Sequence, residues 1–164
     1  MRITETVEHA ATPDQVFAVF CDEEYQVLKC ERSGSLEHDV VIELEDGLTI
    51  VVIRRQLPTK DFPDFVRGFV GDRVEVVETQ RWGDAGDDGA REAALTVEIP
   101  RTPVSLTGGV HLRPGGPGTV QSVDGELKAN VPLLGGRIEK AVAPVIVSAV
   151  RLEARVVRDW LARA

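Results

Sequence analysis

Apolar residues follow two different periods along this chain. Over residues 2–10 and 36–131 they alternate with polar ones or gather in short β-branched runs. From Ile138 to Trp160 they recur at steps of three and four. The first pattern predicts strands, and the second predicts an amphipathic helix. The stretch Ile3-Thr4-Glu5-Thr6-Val7-Glu8-His9 reads as an opening strand. Thr12-Pro13-Asp14-Gln15 then starts a helix. Thr12 caps free amides, Pro13 suits the first helical position, and Gln15 completes a capping box. Val16, Phe17 and Phe20 share one face of it. A second short helix is expected over Glu23 to Arg32, with Tyr25, Leu28 and Val27 inward, ending at Ser33-Gly34-Ser35.

Two β-branched runs, 36–45 and 48–57, flank Asp46-Gly47, a strong hairpin signal. The segment Pro58 to Asp72 interrupts the strands. It holds Phe62, Phe65 and Phe69 at a spacing compatible with about one helical turn. Further strands are predicted at 73–82, 90–99, 104–113 and 119–131, with turns at Asp84 to Gly89 and Pro114 to Gly118. The final helix is predicted from Leu134 to Leu161, about 42 Å at 1.5 Å per residue. Its inward stripe is read as Ile138, Val142, Val145, Ala149, Leu152, Val156 and Trp160, and a kink at Pro144 is expected. The class is α+β, in the order β-α-α-β6-α. A seven-stranded antiparallel sheet needs one face covered, and the long helix offers the apolar stripe to cover it. The 164 residues suit one domain, 1–164.

Composition narrows the function classes. Net charge is −8, which argues against a nucleic-acid partner. The last 28 residues are locally basic, with Arg137, Lys140, Arg151, Arg155, Arg158 and Arg163 against Glu139, Glu153 and Asp159. That cluster reads as a solvated basic helix face or as a patch for an anionic headgroup. Cys21 and Cys30 are too few for a disulfide framework. No basic-then-apolar opening suggests a signal peptide, and the run Ala141 to Val150 is too short to span a bilayer. The cytoplasm is therefore the expected location, without integral membrane association.

Three passages carry a family resemblance: Ala11-Thr12-Pro13-Asp14-Gln15-Val16-Phe17, Gly118-Thr119, and Val131-Pro132-Leu133-Leu134-Gly135-Gly136-Arg137-Ile138-Glu139. With the order of elements, they make the chain similar to the helix-grip proteins of the START-related SRPBCC superfamily over essentially its whole length. Arg55-Gln56-Leu57-Pro58 and Glu78 to Trp82 resemble an uncharacterised, largely actinobacterial family within it. The resemblance implies a curved sheet gripping the long helix. It also implies a small hydrophobic ligand, a lipid or an aromatic metabolite. Some members are enzymes, some carry ligands and some assist chaperones, so the fold alone does not choose.

Candidate site residues follow from which faces turn inward. Glu78, Gln80 and Trp82 share one strand face. Inward, they form a polar–aromatic patch able to orient a ligand; outward, they are a solvated face. Arg54 and Arg55 are adjacent, so one points to each side, and the inward one can pair with a ligand anion or with Glu43. Arg54 is taken as the cavity candidate. Phe65 and Phe69, with Phe62, plug an open end of the sheet or form a lid. Ile138, Val142 and Val145 are expected to line the cavity from the helix. His111 is a solvated strand histidine or a cavity acid–base group. Neither histidines nor cysteines show metal-ligand spacing, and no Gly-rich phosphate loop or nucleophile elbow occurs, so no metal or cofactor is expected. Three functions stay open: hydrophobic-ligand binding, an enzyme of cyclase, dehydratase or hydrolase type, and a protein-interaction module. Oligomeric state is not legible.

Overall fold

The computed structural model describes residues 1–163. Seven strands form one antiparallel sheet: β1 (Arg2–His9), β2 (Glu37–Glu45), β3 (Leu48–Pro58), β4 (Arg73–Trp82), β5 (Arg91–Ile99), β6 (Val104–Gly115) and β7 (Gly118–Ala129). Their spatial order is β1-β7-β6-β5-β4-β3-β2. Helices α1 (Pro13–Phe20) and α2 (Glu23–Arg32) carry the chain from one edge strand to the other. α3 (Asp64–Val70) interrupts the hairpin succession, and α4 (Gly135–Ala162) closes the chain.

Local chemistry explains most boundaries. The capping box forms: the Thr12 hydroxyl accepts from the Gln15 amide at 3.2 Å, and the Gln15 side chain accepts from the Thr12 amide at 2.8 Å. Asp46 and Gly47 both take positive φ, 52° and 78°, as a tight hairpin turn requires. Ala11 docks onto the start of β7, where the Thr119 hydroxyl donates to the Ala11 carbonyl at 2.6 Å. A Cβ on Gly118 would lie 2.5 Å from that same carbonyl oxygen. Two of the passages that carry the resemblance are therefore one contact in space.

The sheet's close packing turns on Gly108 and Gly125, which face each other across β6 and β7. A Cβ on Gly108 would sit 1.9 Å from the Asp124 carbonyl oxygen, and one on Gly125 would sit 2.8 Å from Leu106 Cδ1. Only residues without side chains permit this approach, a usual requirement where a sheet bends sharply. Gly135 repeats the device at the entry to α4, where a Cβ would lie 2.3 Å from the Ala129 carbonyl oxygen. The α4 N-terminus is thus held against the end of β7.

The α4 stripe faces the sheet as expected. Ile138 and Val156 are buried, as are Gly135, Val150, Glu153 and Val157, while Val142, Val145, Ala149 and Leu152 face a cavity between the helix and the sheet. Between Ile138 and Val150 no residue of α4 is buried. This middle segment also holds Pro144, which has no amide hydrogen for the Lys140 carbonyl. α2 differs from its expected face: it buries Tyr25, Gln26, Lys29 and Cys30, with Leu28 and Val27 only half-buried. Each helix also turns one charged residue into the interior, Lys29 on α2 and Glu153 on α4.

Candidate functional site

A cavity of about 180 Å³ lies between the concave face of the sheet and α4. β5, β6 and β7 contribute Leu95, Val97, Leu106, Val123 and Leu127, and α4 contributes Val142, Val145, Ile146 and Ala149. α3 closes one side with Val66 and Val70, helped by the preceding Phe62. Apart from Ser105 on β6, the polar lining has a different origin: Lys29 and Ser33 at the end of α2, Arg55 on β3, Glu78 and Gln80 on β4, and Glu153 on α4. The cavity thus has an apolar side and a charged side.

The charged side is a connected network. Lys29 Nζ donates to Glu153 Oε2 at 3.1 Å and lies 3.8 Å from Glu78 Oε1. Arg55 Nη2 stands 3.6 Å from Glu78 Oε2, and Arg55 Nη1 donates to the Ser33 hydroxyl at 3.4 Å. Two amides brace the carboxylates. Trp82 Nε1 can only donate, so Gln80 presents its oxygen to the indole at 2.9 Å and its nitrogen to Glu78 Oε1 at 2.6 Å. On the other side, Glu153 Oε1 accepts from Gln121 Nε2 at 2.9 Å, which turns the Gln121 oxygen toward His9 Nε2 at 2.6 Å. His9 must therefore carry its proton on Nε2. Both glutamines are aligned by their neighbours to donate to a buried carboxylate.

The electrostatics follow from this pairing. Burial by itself would lower the Lys29 pKa, but attraction to Glu78 and Glu153 outweighs it and holds the ammonium above its usual range. Burial would raise Glu78, but Lys29 and Arg55, with the Gln80 hydrogen bond, hold it below the ordinary carboxylate value. Tyr25 packs beside the cluster; burial first, then Glu153 and Glu78, push its phenol well above 10. Two cations face two anions, so the wall is balanced.

The candidate residues separate clearly. Glu78 and Gln80 lie on the cavity wall, as do Val142 and Val145. Trp82 points inward but not into the cavity: it is 1% exposed and packs against Phe17 and Phe20 at centroid distances of 5.5 and 6.0 Å. Arg54 requires a correction. It projects from the outer face, 3.6 Å from Glu75, and Arg55 is the inward arginine. Register decides this, because Arg55 lies opposite Val76, on the face that also holds Glu78 and Gln80. The inward arginine meets Glu78, not Glu43, which is exposed. His111 is likewise on the outer face, its ring nitrogens 3.3 Å from Glu92 and from Asp124. Phe65 lies under the Arg137 guanidinium at 4.4 Å, and Phe69 is 41% exposed; Phe62 is the phenylalanine on the cavity wall. Ile138 is buried below α4 outside the lining.

Lys29, Glu153 and Gln121 escape sequence reasoning. A signal existed for two of them. Lys29 is four residues after Tyr25, so both fall on one helix face. Glu153 falls three residues after Val150 and four before Val157, an acid inside an apolar stripe.

A family model described as "Protein of unknown function (DUF2505)" matches residues 4–161, and the chain belongs to that family. None of the curated proteins matches it. Solved structures share its fold. The crystal structure of a Thermus thermophilus protein is 17% identical with a TM-score of 0.64, covering 97% of this chain and 95% of that one. A STAR-related lipid transfer protein from Xanthomonas axonopodis is 12% identical with a TM-score of 0.59, covering 94% and 84%. Norcoclaurine synthase from Thalictrum flavum is 13% identical with a TM-score of 0.58, covering 100% and 87%. The architecture is the helix-grip fold of START-related proteins. Among the described residues, no helix is long and apolar enough to cross a membrane.

Proposed function

We propose that the protein binds a small hydrophobic molecule, a lipid or an aromatic metabolite, between the sheet and α4. The cavity carries this reading: about 180 Å³, apolar on most of its wall, with a few fixed polar groups on one side. An apolar cavity of about 150 Å³ already holds a benzene-sized guest, and this mixture of linings is the common form of a ligand site. Similarity to a STAR-related lipid transfer protein, and to a norcoclaurine synthase crystallised with dopamine and hydroxybenzaldehyde, supports a ligand without choosing its class. α3 and the preceding Phe62 supply the movable part of the wall in this reading. The resemblance around Arg55 to Pro58 and Val131 to Glu139 supports kinship with a largely actinobacterial group. The free cysteines Cys21 and Cys30 support a reducing compartment such as the cytoplasm.

Solvent extraction of the purified protein followed by mass spectrometry should release a bound small molecule. A fluorescent fatty acid should bind and be displaced by it. If nothing is extracted and no probe binds, the reading fails.

One observation favours an enzyme instead: Lys29, Glu78 and Glu153 converge on the cavity. A general base or an amine nucleophile must exchange its proton near working pH. Lys29 is shifted upward and Glu78 downward, so both keep their charge there. The pairing supports binding over acid–base catalysis. Turnover of an extracted ligand that is lost in Glu78→Gln would reverse that preference.

A further inference from the structure

We propose that the cavity takes a single-chain carboxylate amphiphile tail first, with the carboxylate left at the rim between α3 and α4 beside Arg137. The inference rests on the binding reading above and names the ligand class and its orientation.

The interior offers no seat for a charged end. Lys29 is held by Glu153 and Glu78 at 3.1 and 3.8 Å, and Arg55 stands 3.6 Å from Glu78. The two cations and two anions on the wall are spent on one another. A carboxylate brought among them leaves an unbalanced charge in a dry enclosure, which is costly. Size gives the same answer. An apolar cavity of about 150 Å³ holds benzene, so one of about 180 Å³ takes on the order of eight carbons. The rest of a longer molecule, with its polar end, stays outside.

The opening lies along α4. Val145 and Ala149 line the cavity and are also exposed, Val145 by 42%. α3 supplies Val66 and Val70 to the lining, and its Phe69 is exposed. Arg137 joins the two helices: it is exposed on α4, and its guanidinium lies 4.4 Å from the Phe65 ring on α3. Arg137, Ala141 and Val145 are spaced by four, so they follow one another along one side of α4. The acid two residues on does not compete, because Glu139 turns to the Ala129 amide at 3.4 Å. A guanidinium stacked on a ring keeps its N–H edges free for a carboxylate. The rim thus sets one cation beside exposed apolar groups, the complement of an amphiphile's head and chain.

The test is calorimetric titration of the full chain at pH 7 with hexanoate, octanoate, decanoate, dodecanoate, hexadecanoate and decyl maltoside, each below its micelle concentration. Affinity should rise about fourfold per added CH₂ until the tail fills the cavity near decanoate, then level off. Decyl maltoside, whose bulky head stays in water, should bind within about tenfold of decanoate. Arg137→Glu should weaken decanoate about fivefold and leave decyl maltoside unchanged, the scale of an exposed ion pair. Lys128→Glu makes the same charge change at an exposed position on β7 and should alter neither. Circular dichroism checks folding, and Arg137→Gln replaces Arg137→Glu if that variant does not fold. Decanoate binding without decyl maltoside binding puts the head inside and overturns the orientation. Equal decanoate affinity in the Arg137 and Lys128 variants overturns the rim seat. Either result leaves hydrophobic binding intact. No binding by any probe, the fluorescent fatty acid included, removes the binding reading and this inference with it.

Discussion

Lys29 and Glu153 lie 124 residues apart in sequence, and each tolerates burial because of the other. Their side chains are 5% and 11% exposed. Lys29→Met removes the cation and leaves buried Glu153 without its counter-charge, so urea unfolding should show a loss of about 3–5 kcal/mol. Adding Glu153→Leu should recover a large part of it, because the remaining Arg55–Glu78 pair is self-balanced. Glu78 links the cluster to pH. A carboxylate whose pKa is lower folded than unfolded adds stability above its ordinary value, 4.5 here, and that stability disappears as pH falls toward the folded value. Glu78→Gln should therefore flatten the decline in the urea midpoint below about pH 4.5. Sequence alternation reveals that Glu78, Gln80 and Trp82 share a face, and that Arg54 and Arg55 do not. It leaves open which arginine turns inward, because that depends on the register with β4.

At the scale of elements, the strand and helix boundaries were legible within a residue or two, since period and caps are local signals. The Phe62, Phe65 and Phe69 spacing pointed to a helical turn, and α3 spans Asp64–Val70. Close approaches between elements left weaker traces. Gly108→Ala would drive a Cβ into the Asp124 carbonyl oxygen. It should cost about 1–3 kcal/mol or more in chemical denaturation. Gly68→Ala in α3 is the contrasting case: a Cβ there meets nothing within 4 Å, so helix propensity should raise stability slightly. Pro144→Ala restores a donor to the Lys140 carbonyl and should raise the melting temperature, with up to about 3 kcal/mol available. The inward turn of Glu153 on α4 was hidden for a specific reason. Apolarity ranks Glu153 as a surface residue, whereas partners on α2 and β7 make it an interior one.

The whole molecule decides whether the space under α4 is a core or a container. Val97 and Ala149 lie on the cavity wall. Enlarging either to Phe should weaken ligand binding tenfold or more and leave the melting temperature equal or higher, because filled space replaces a void. Fluorescent fatty-acid titration beside thermal melting separates the two effects. Order of elements, hairpin turns, capping box and helix periodicity are properties of neighbouring residues, so the amino-acid sequence by itself determined the helix-grip architecture. The container and its charged side are sums over distant residues. Lys29 on α2, Arg55 on β3, Glu78 on β4 and Glu153 on α4 become one balanced cluster only after strand register and the rotation of α4 are set. Only the tertiary structure decided that, because an ion pair's cost or benefit depends on the burial and distance of both partners, and neither is a property of the chain taken in order.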